Sequence, residues 1–172
     1  MPHSAASLAN LDLTTLAERL GRACRDLGVT ITTAESCTGG GVASAITSVA
    51  GSSDYFTTGY VTYANAAKTR LLGVPEGLLA EHGAVSREVV EAMVAGACRD
   101  SGAAMGVAVS GVAGPGGGSA DKPVGSVWLA WGDGERQQAE CHHYPGDRRA
   151  VRERAVRDAL IGLLVRIRTH EE

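Results

Sequence analysis

The sequence predicts an α/β domain in three layers, a mixed β-sheet flanked by helices. Three observations carry that reading. Amphipathic helical stripes alternate with short β-branched runs along most of the chain. Two late β-like runs flank Gly132-Asp133-Gly134, a hairpin turn that adds antiparallel strands to a parallel set. The 172 residues amount to one domain, long enough to bury a full core without metals or disulfides.

Residues 1–11 read as a loose tail, and 12–169 as the folded domain. Leu13, Leu16, Ala17, Leu20, Ala23, Cys24 and Leu27 recur on the helical period, and Gly28 stands where a left-handed C-cap belongs. The β-branched run 29–33 predicts a strand. Small and apolar residues over 38–49 suit a helix packed closely on a sheet. Residues 54–63, aromatic and β-branched, predict a second strand, followed by short helices over 65–72 and 75–81. Ser86 is the N-cap of a helix running to about residue 100. A buried strand spans 103–110, a glycine-rich loop 111–123, and two hairpin strands 124–131 and 137–143. Asp147 caps a last helix with Val151, Ala155, Val156, Ala159, Leu160, Leu163 and Leu164 on one face.

Composition excludes several function classes. Hydrophobic residues are 44% and charged residues 20%, which is neither a disordered tail nor a fibre. A net charge of −3 argues against direct nucleic-acid binding, and seven aromatics (two Trp, four Tyr, one Phe) are too few for base-stacking platforms. No apolar run is long enough to cross a membrane, and no basic region followed by an apolar run opens the chain. Cys24, Cys37, Cys98 and Cys141 form neither a C-x-x-C pair nor a zinc spacing, so free thiols in the reducing cytoplasm are expected. The helix-rich surface permits a symmetric homodimer or higher homo-oligomer.

Glycine is the outlier, 23 residues, about twice the usual share, clustered at 39–41 and 111–118. The first cluster follows Glu35-Ser36-Cys37-Thr38, at the end of a strand and the start of a helix, where outward N–H groups stabilise an anion. Ser36 is a candidate nucleophile there; alternatively Ser36 or Thr38 caps the helix. Cys37 is a rival nucleophile if the helix start lowers its pKa, but it reads better as a small residue packed on the sheet. His3, His82, His142, His143 and His170 all lie outside the glycine-rich turns. The chain has 14 Arg but only two Lys, Lys68 and Lys122. Lysine can lose its proton and act as a base, which guanidinium cannot. Serine with a lysine base is a known substitute for serine with histidine. Tyr63, five residues before Lys68, would relay a proton or position the lysine if both converge on one pocket. The second cluster, from Ser110 to Ser119, follows a strand and offers serial N–H groups to a phosphate, but has neither the P-loop pattern nor the dinucleotide fingerprint. Arg148, Arg149, Arg152, Arg154 and Arg157, interleaved with acids, read as a solvated helix face, with Arg148 or Arg149 in reach of a substrate phosphate.

TTAESCTGG, the GSS-x-x-F-x-x-G-x-VTY-x-N-x-AK stretch from Gly51, and SG-x-AGP-x-GGS-x-x-KPVG-x-VW together resemble the CinA C-terminal domain family over residues 13–167. The domain that many members carry upstream is not in this sequence, so the resemblance implies the stand-alone form. It implies hydrolysis of the carboxamide of nicotinamide mononucleotide to nicotinic acid mononucleotide and ammonia, with no metal or cofactor. Carried onto matching positions, Ser36 is the nucleophile, Lys68 its base and Tyr63 a catalytic helper. Thr38, Gly39, Gly40, Asn65, Ser110, Gly111 and Gly114 are the expected substrate-binding residues, the glycine loop around Gly111 and Gly114 taking the phosphate. Two positions depart from the family pattern: Ala64 stands where relatives often have Ser, and Gly116 where many have a polar residue. The alternatives are a non-catalytic module for a phosphorylated nucleotide and a protein-interaction role in competence or recombination.

Overall fold

The computed structural model describes residues 4–169. Five strands form one sheet: β1 (Ile31–Glu35), β2 (Phe56–Val61), β3 (Met105–Gly111), β4 (Ser126–Gly132) and β5 (Gln137–His143), in the order β2-β1-β3-β4-β5. β1 is parallel to both β2 and β3, whereas β3–β4 and β4–β5 are antiparallel. The sheet is therefore mixed, as the hairpin turn predicts.

Among the described residues, seven helices cover its two faces. α1 (Ala5–Leu8), α2 (Leu13–Leu27), α3 (Gly41–Thr47) and α7 (Arg148–Thr169) lie on one side. α4 (Asn65–Leu72), α5 (Glu76–His82) and α6 (Arg87–Ser101) lie on the other. Strand alternation divides the core between them: Val107, Val109 and Leu129 pack under α2 and α7, while Ala108 and Ala130 pack under α6. Every apolar residue on the predicted face of α7 is buried, and Trp131 beneath it donates its indole N–H to the Ala159 carbonyl at 3.0 Å.

The caps explain the element boundaries. Asp12 accepts from the Thr15 N–H, Ser86 from Val89 and Asp147 from Ala150. Gly28 and Gly73 end α2 and α4 in the left-handed conformation. At Gly96 on α6 an added Cβ would run into the Leu72 carbonyl, so this glycine lets the end of α4 lie against α6.

Several expectations are corrected. The N-terminal stretch is not all loose: α1 lies within it and Leu8 is fully buried, because Arg157 of α7 donates to the Ala9 and Leu11 carbonyls and fastens the segment. Residues 1–3, and with them His3 and also His170, lie outside the described residues. The helix expected from residue 38 begins at Gly41, after a turn over 36–40. The strand expected from residue 54 begins at Phe56, after a 3-10 turn at Ser52–Asp54. Among the described residues, no helix is long and apolar enough to cross a membrane.

Candidate active site

The site forms where β1, β2 and β3 end side by side, the place where open α/β sheets bind ligands. Ser36 follows β1 directly. Its N–H donates to the Val109 carbonyl at 2.9 Å, and the neighbouring Glu35 carbonyl accepts from the Thr62 N–H at 2.9 Å. Both flanking strands thus hold the turn that opens at Ser36. The period-two alternation of a strand sends Glu35 and Ser36 to opposite sides, Glu35 toward α3 and Ser36 toward α4.

Lys68, one turn into α4, is 1% exposed. Its Nζ lies 3.1 Å from Ser36 Oγ, 2.8 Å from the Thr62 carbonyl and 3.3 Å from the Tyr63 carbonyl. The identity of these three partners matters. Two are carbonyls, which only accept; the third is a hydroxyl, which can also donate. A neutral amine satisfies all three by donating two N–H groups to the carbonyls and accepting the serine proton on its lone pair. Burial lowers the Lys68 pKa from its ordinary 10.5, which favours that neutral form.

Cys37 lacks the properties of a nucleophile. It is buried, and desolvation pushes its thiol up to about 11, so the thiolate is scarce near neutrality.

Tyr63 meets Lys68 through its carbonyl, not through the hydroxyl that the sequence suggested. The side chain is 61% exposed, and its hydroxyl accepts from Arg148 at 3.1 Å. The same guanidinium donates to the Gly114 carbonyl at 2.9 Å. Arg148 therefore bridges Tyr63 and the glycine loop. Ser36, Tyr63, Gly111, Gly114 and Arg148 line one cleft of about 270 Å³.

The other expected binding residues are placed differently. Thr38 lines a separate cleft of about 610 Å³ with Gly41, Arg149 and Arg152, and its hydroxyl is buried without a partner. Ser110 is buried within β3, whereas Gly39 and Asn65 are exposed. Neither Ser36 nor Thr38 caps α3. The N-cap is Gly40, at φ 100°, which has no side chain to offer. Glu35, which sequence reasoning passed over, supplies both hydrogen bonds instead. The arginines of α7 do form a largely solvated face, with Arg148, Arg149, Arg152 and Arg154 exposed and Arg149 paired with Glu153, but three of them also bind the main chain: Arg152 donates to the Cys37 and Thr38 carbonyls, as Arg157 and Arg148 do to other main-chain oxygens. Main-chain acceptors leave no mark in a sequence. The one available signal was the position of Arg148 and Arg152 on one side of a helix, four residues apart.

The family model described as the CinA C-terminal domain matches residues 13–167. The chain belongs to the CinA C-terminal domain family. It is 64% identical over 152 residues to the nicotinamide-nucleotide amidohydrolase PncC of Pseudomonas putida, across 88% of this chain and 95% of that protein. It is 49% identical over 157 residues to the nicotinamide-nucleotide amidohydrolase PncC of Escherichia coli K12, across 89% and 93% of the two. The crystal structure of a CinA superfamily protein from Klebsiella pneumoniae superposes with a TM-score of 0.89 at 37% identity, covering 92% of this chain and 99% of that one. The CinA fold is thereby shared over nearly the whole length.

Proposed function

We propose that this chain hydrolyses the carboxamide of nicotinamide mononucleotide to nicotinic acid mononucleotide and ammonia, with Ser36 as nucleophile and Lys68 as its base. The observation that carries the reading is the 3.1 Å contact between Lys68 Nζ and Ser36 Oγ, inside a site where the amine's other two partners only accept. Its substrate class is supported by the 64% identity to an amidohydrolase named for nicotinamide nucleotides.

The chemistry runs in two halves. Ser36 Oγ bonds to the carboxamide carbon while its proton passes to Lys68. The resulting ammonium protonates the departing nitrogen, the C–N bond breaks and ammonia leaves. Water then attacks the acyl-serine, giving its proton to the neutral Lys68, which returns it to Ser36 as the acid departs. The oxyanion in each half is held by main-chain N–H groups of the turn after Ser36, by analogy with other nucleophile turns. Tyr63 and Arg148 form the rim beside the pyridine ring. The glycine loop at Gly111 and Gly114, with Arg148, faces the phosphate, and Thr38, Gly39, Gly40, Asn65 and Ser110 shape the surroundings.

Ammonia release from nicotinamide mononucleotide tests this, with Ser36→Ala and Lys68→Ala run beside the wild-type protein. Turnover lost in both variants, in protein that still melts cooperatively, is the expected result. Full activity in either variant sinks the assignment of that residue.

A further inference from the structure

Glu35 is a carboxylate with 0% exposure, adjacent in sequence to Ser36 and pointing away from it. Its two oxygens accept separately from the second and third main-chain N–H groups of α3: Oε1 from Val42 at 2.8 Å and Oε2 from Ala43 at 3.1 Å. No side chain at the N-cap does this job, because Gly40 has none. The five residues between the carboxylate and the helix form a loop pinned at its base, and that loop carries Ser36 and Cys37.

A helix start is the usual place to look for oxyanion donors. Here the Val42 and Ala43 N–H groups are already committed to the two side-chain oxygens of Glu35. The Ser36 N–H is committed as well, to Val109. The turn itself keeps donors for an anion at Ser36, and what sets that turn relative to α3 is the carboxylate of Glu35.

We infer that Glu35 is a positioning residue for the nucleophile: its carboxylate, bidentate on the Val42 and Ala43 N–H groups, fixes the 36–40 turn so that Ser36 and the turn amides converge on the reacting carbonyl. The residue type fits the task. Aspartate is one methylene too short to reach both donors. Glutamine matches the shape but sets its NH₂ group against an N–H, leaving a buried donor without an acceptor.

This inference rests on Ser36 being the nucleophile, and its test separates the two. Glu35→Gln is compared with wild type and Ser36→Ala in the full chain by three readouts: kcat and KM for ammonia release, melting temperature, and labelling of Ser36 by a fluorophosphonate followed by intact mass. In that labelling Ser36 Oγ bonds to phosphorus, fluoride leaves and Lys68 takes the proton. The expected result is wild type active and labelled, and Glu35→Gln folded, with kcat and the labelling rate each down about 100-fold and KM within threefold. Glu35→Gln labelled and active like wild type overturns the inference. Wild type neither active nor labelled instead overturns the role of Ser36, and with it this inference. If Glu35→Gln does not fold, Glu35→Asp, which keeps the charge, is read by the same criteria. If neither folds, Glu35 serves the fold alone and the inference fails.

Discussion

The two lysines of this chain hold two different regions, and their surroundings decide what each can do. Lys122, at the end of the glycine loop, donates to the carbonyl of His82, the last residue of α5, at 2.6 Å. Lys68, at the start of α4, donates to the Thr62 and Tyr63 carbonyls. Both are half-way to being the same device, a cation that ties one main-chain segment to another. The difference is a hydroxyl. Ser36 adds to Lys68 a partner with a proton to give, and burial makes the neutral amine available to take it. Scarcity of lysine marks both residues in the sequence; in the proposed mechanism only the third partner separates a base from an anchor.

The largest effect that would break this comparison lies at Lys68. Lys68→Ala and Ser36→Ala should each lower kcat for ammonia release by about 10⁴-fold or more, with cooperative melting retained. Lys122→Met should leave kcat within about twofold and raise KM only several-fold, since it loosens the loop without touching the reacting atoms. Equal losses in the Lys68 and Lys122 variants would erase the distinction.

A second effect concerns the scaffold beneath Lys68. Gly96→Ala should cost about 1–3 kcal/mol in urea unfolding, because its Cβ meets the Leu72 carbonyl, even though alanine is the better helix former. A gain in stability would mean that α4 is not held against α6 as described. The smallest effect is a pH dependence. The Lys68 pKa is lowered from 10.5 by burial, so kcat/KM should rise with pH through a single group below 10.5. The sign for stability is the same. The unfolded chain binds the extra proton between the lowered value and 10.5, so stability from this group rises with pH across that window. A kcat/KM that falls across the same range would contradict a neutral lysine base.

Much of the fold was legible because its signals are local. The stripe from Leu13 to Leu27 with Gly28 beyond it, the Ser86 cap and the apolar face of α7 depend on neighbours in sequence, and the structure has each of them. Ser36 and Lys68 were legible as residue types, and the structure brings them together across 32 positions. What was hidden shares one physical cause. Glu35 capping α3, Arg152 on the Cys37 and Thr38 carbonyls, and Arg157 fastening the N-terminal stretch all bind main-chain atoms, which every residue carries and no residue type announces. The start of α3 was misplaced for the same reason: the helix begins where Glu35 reaches it, not at the nearest hydroxyl. Tyr63 was expected to act through its side chain, but its contact with Lys68 is made by the carbonyl.

The proposed transfer of the Ser36 proton to Lys68 stands or falls with Lys68→Arg. Arginine keeps a cation and hydrogen-bond donors near the Thr62 and Tyr63 carbonyls, but it cannot give up its proton. With nicotinamide mononucleotide as substrate, the wild-type protein should release ammonia and a folded Lys68→Arg variant should release none above the Ser36→Ala background. Turnover by Lys68→Arg at a rate near wild type would contradict it, because a permanent cation would then suffice and no base would be needed at this position.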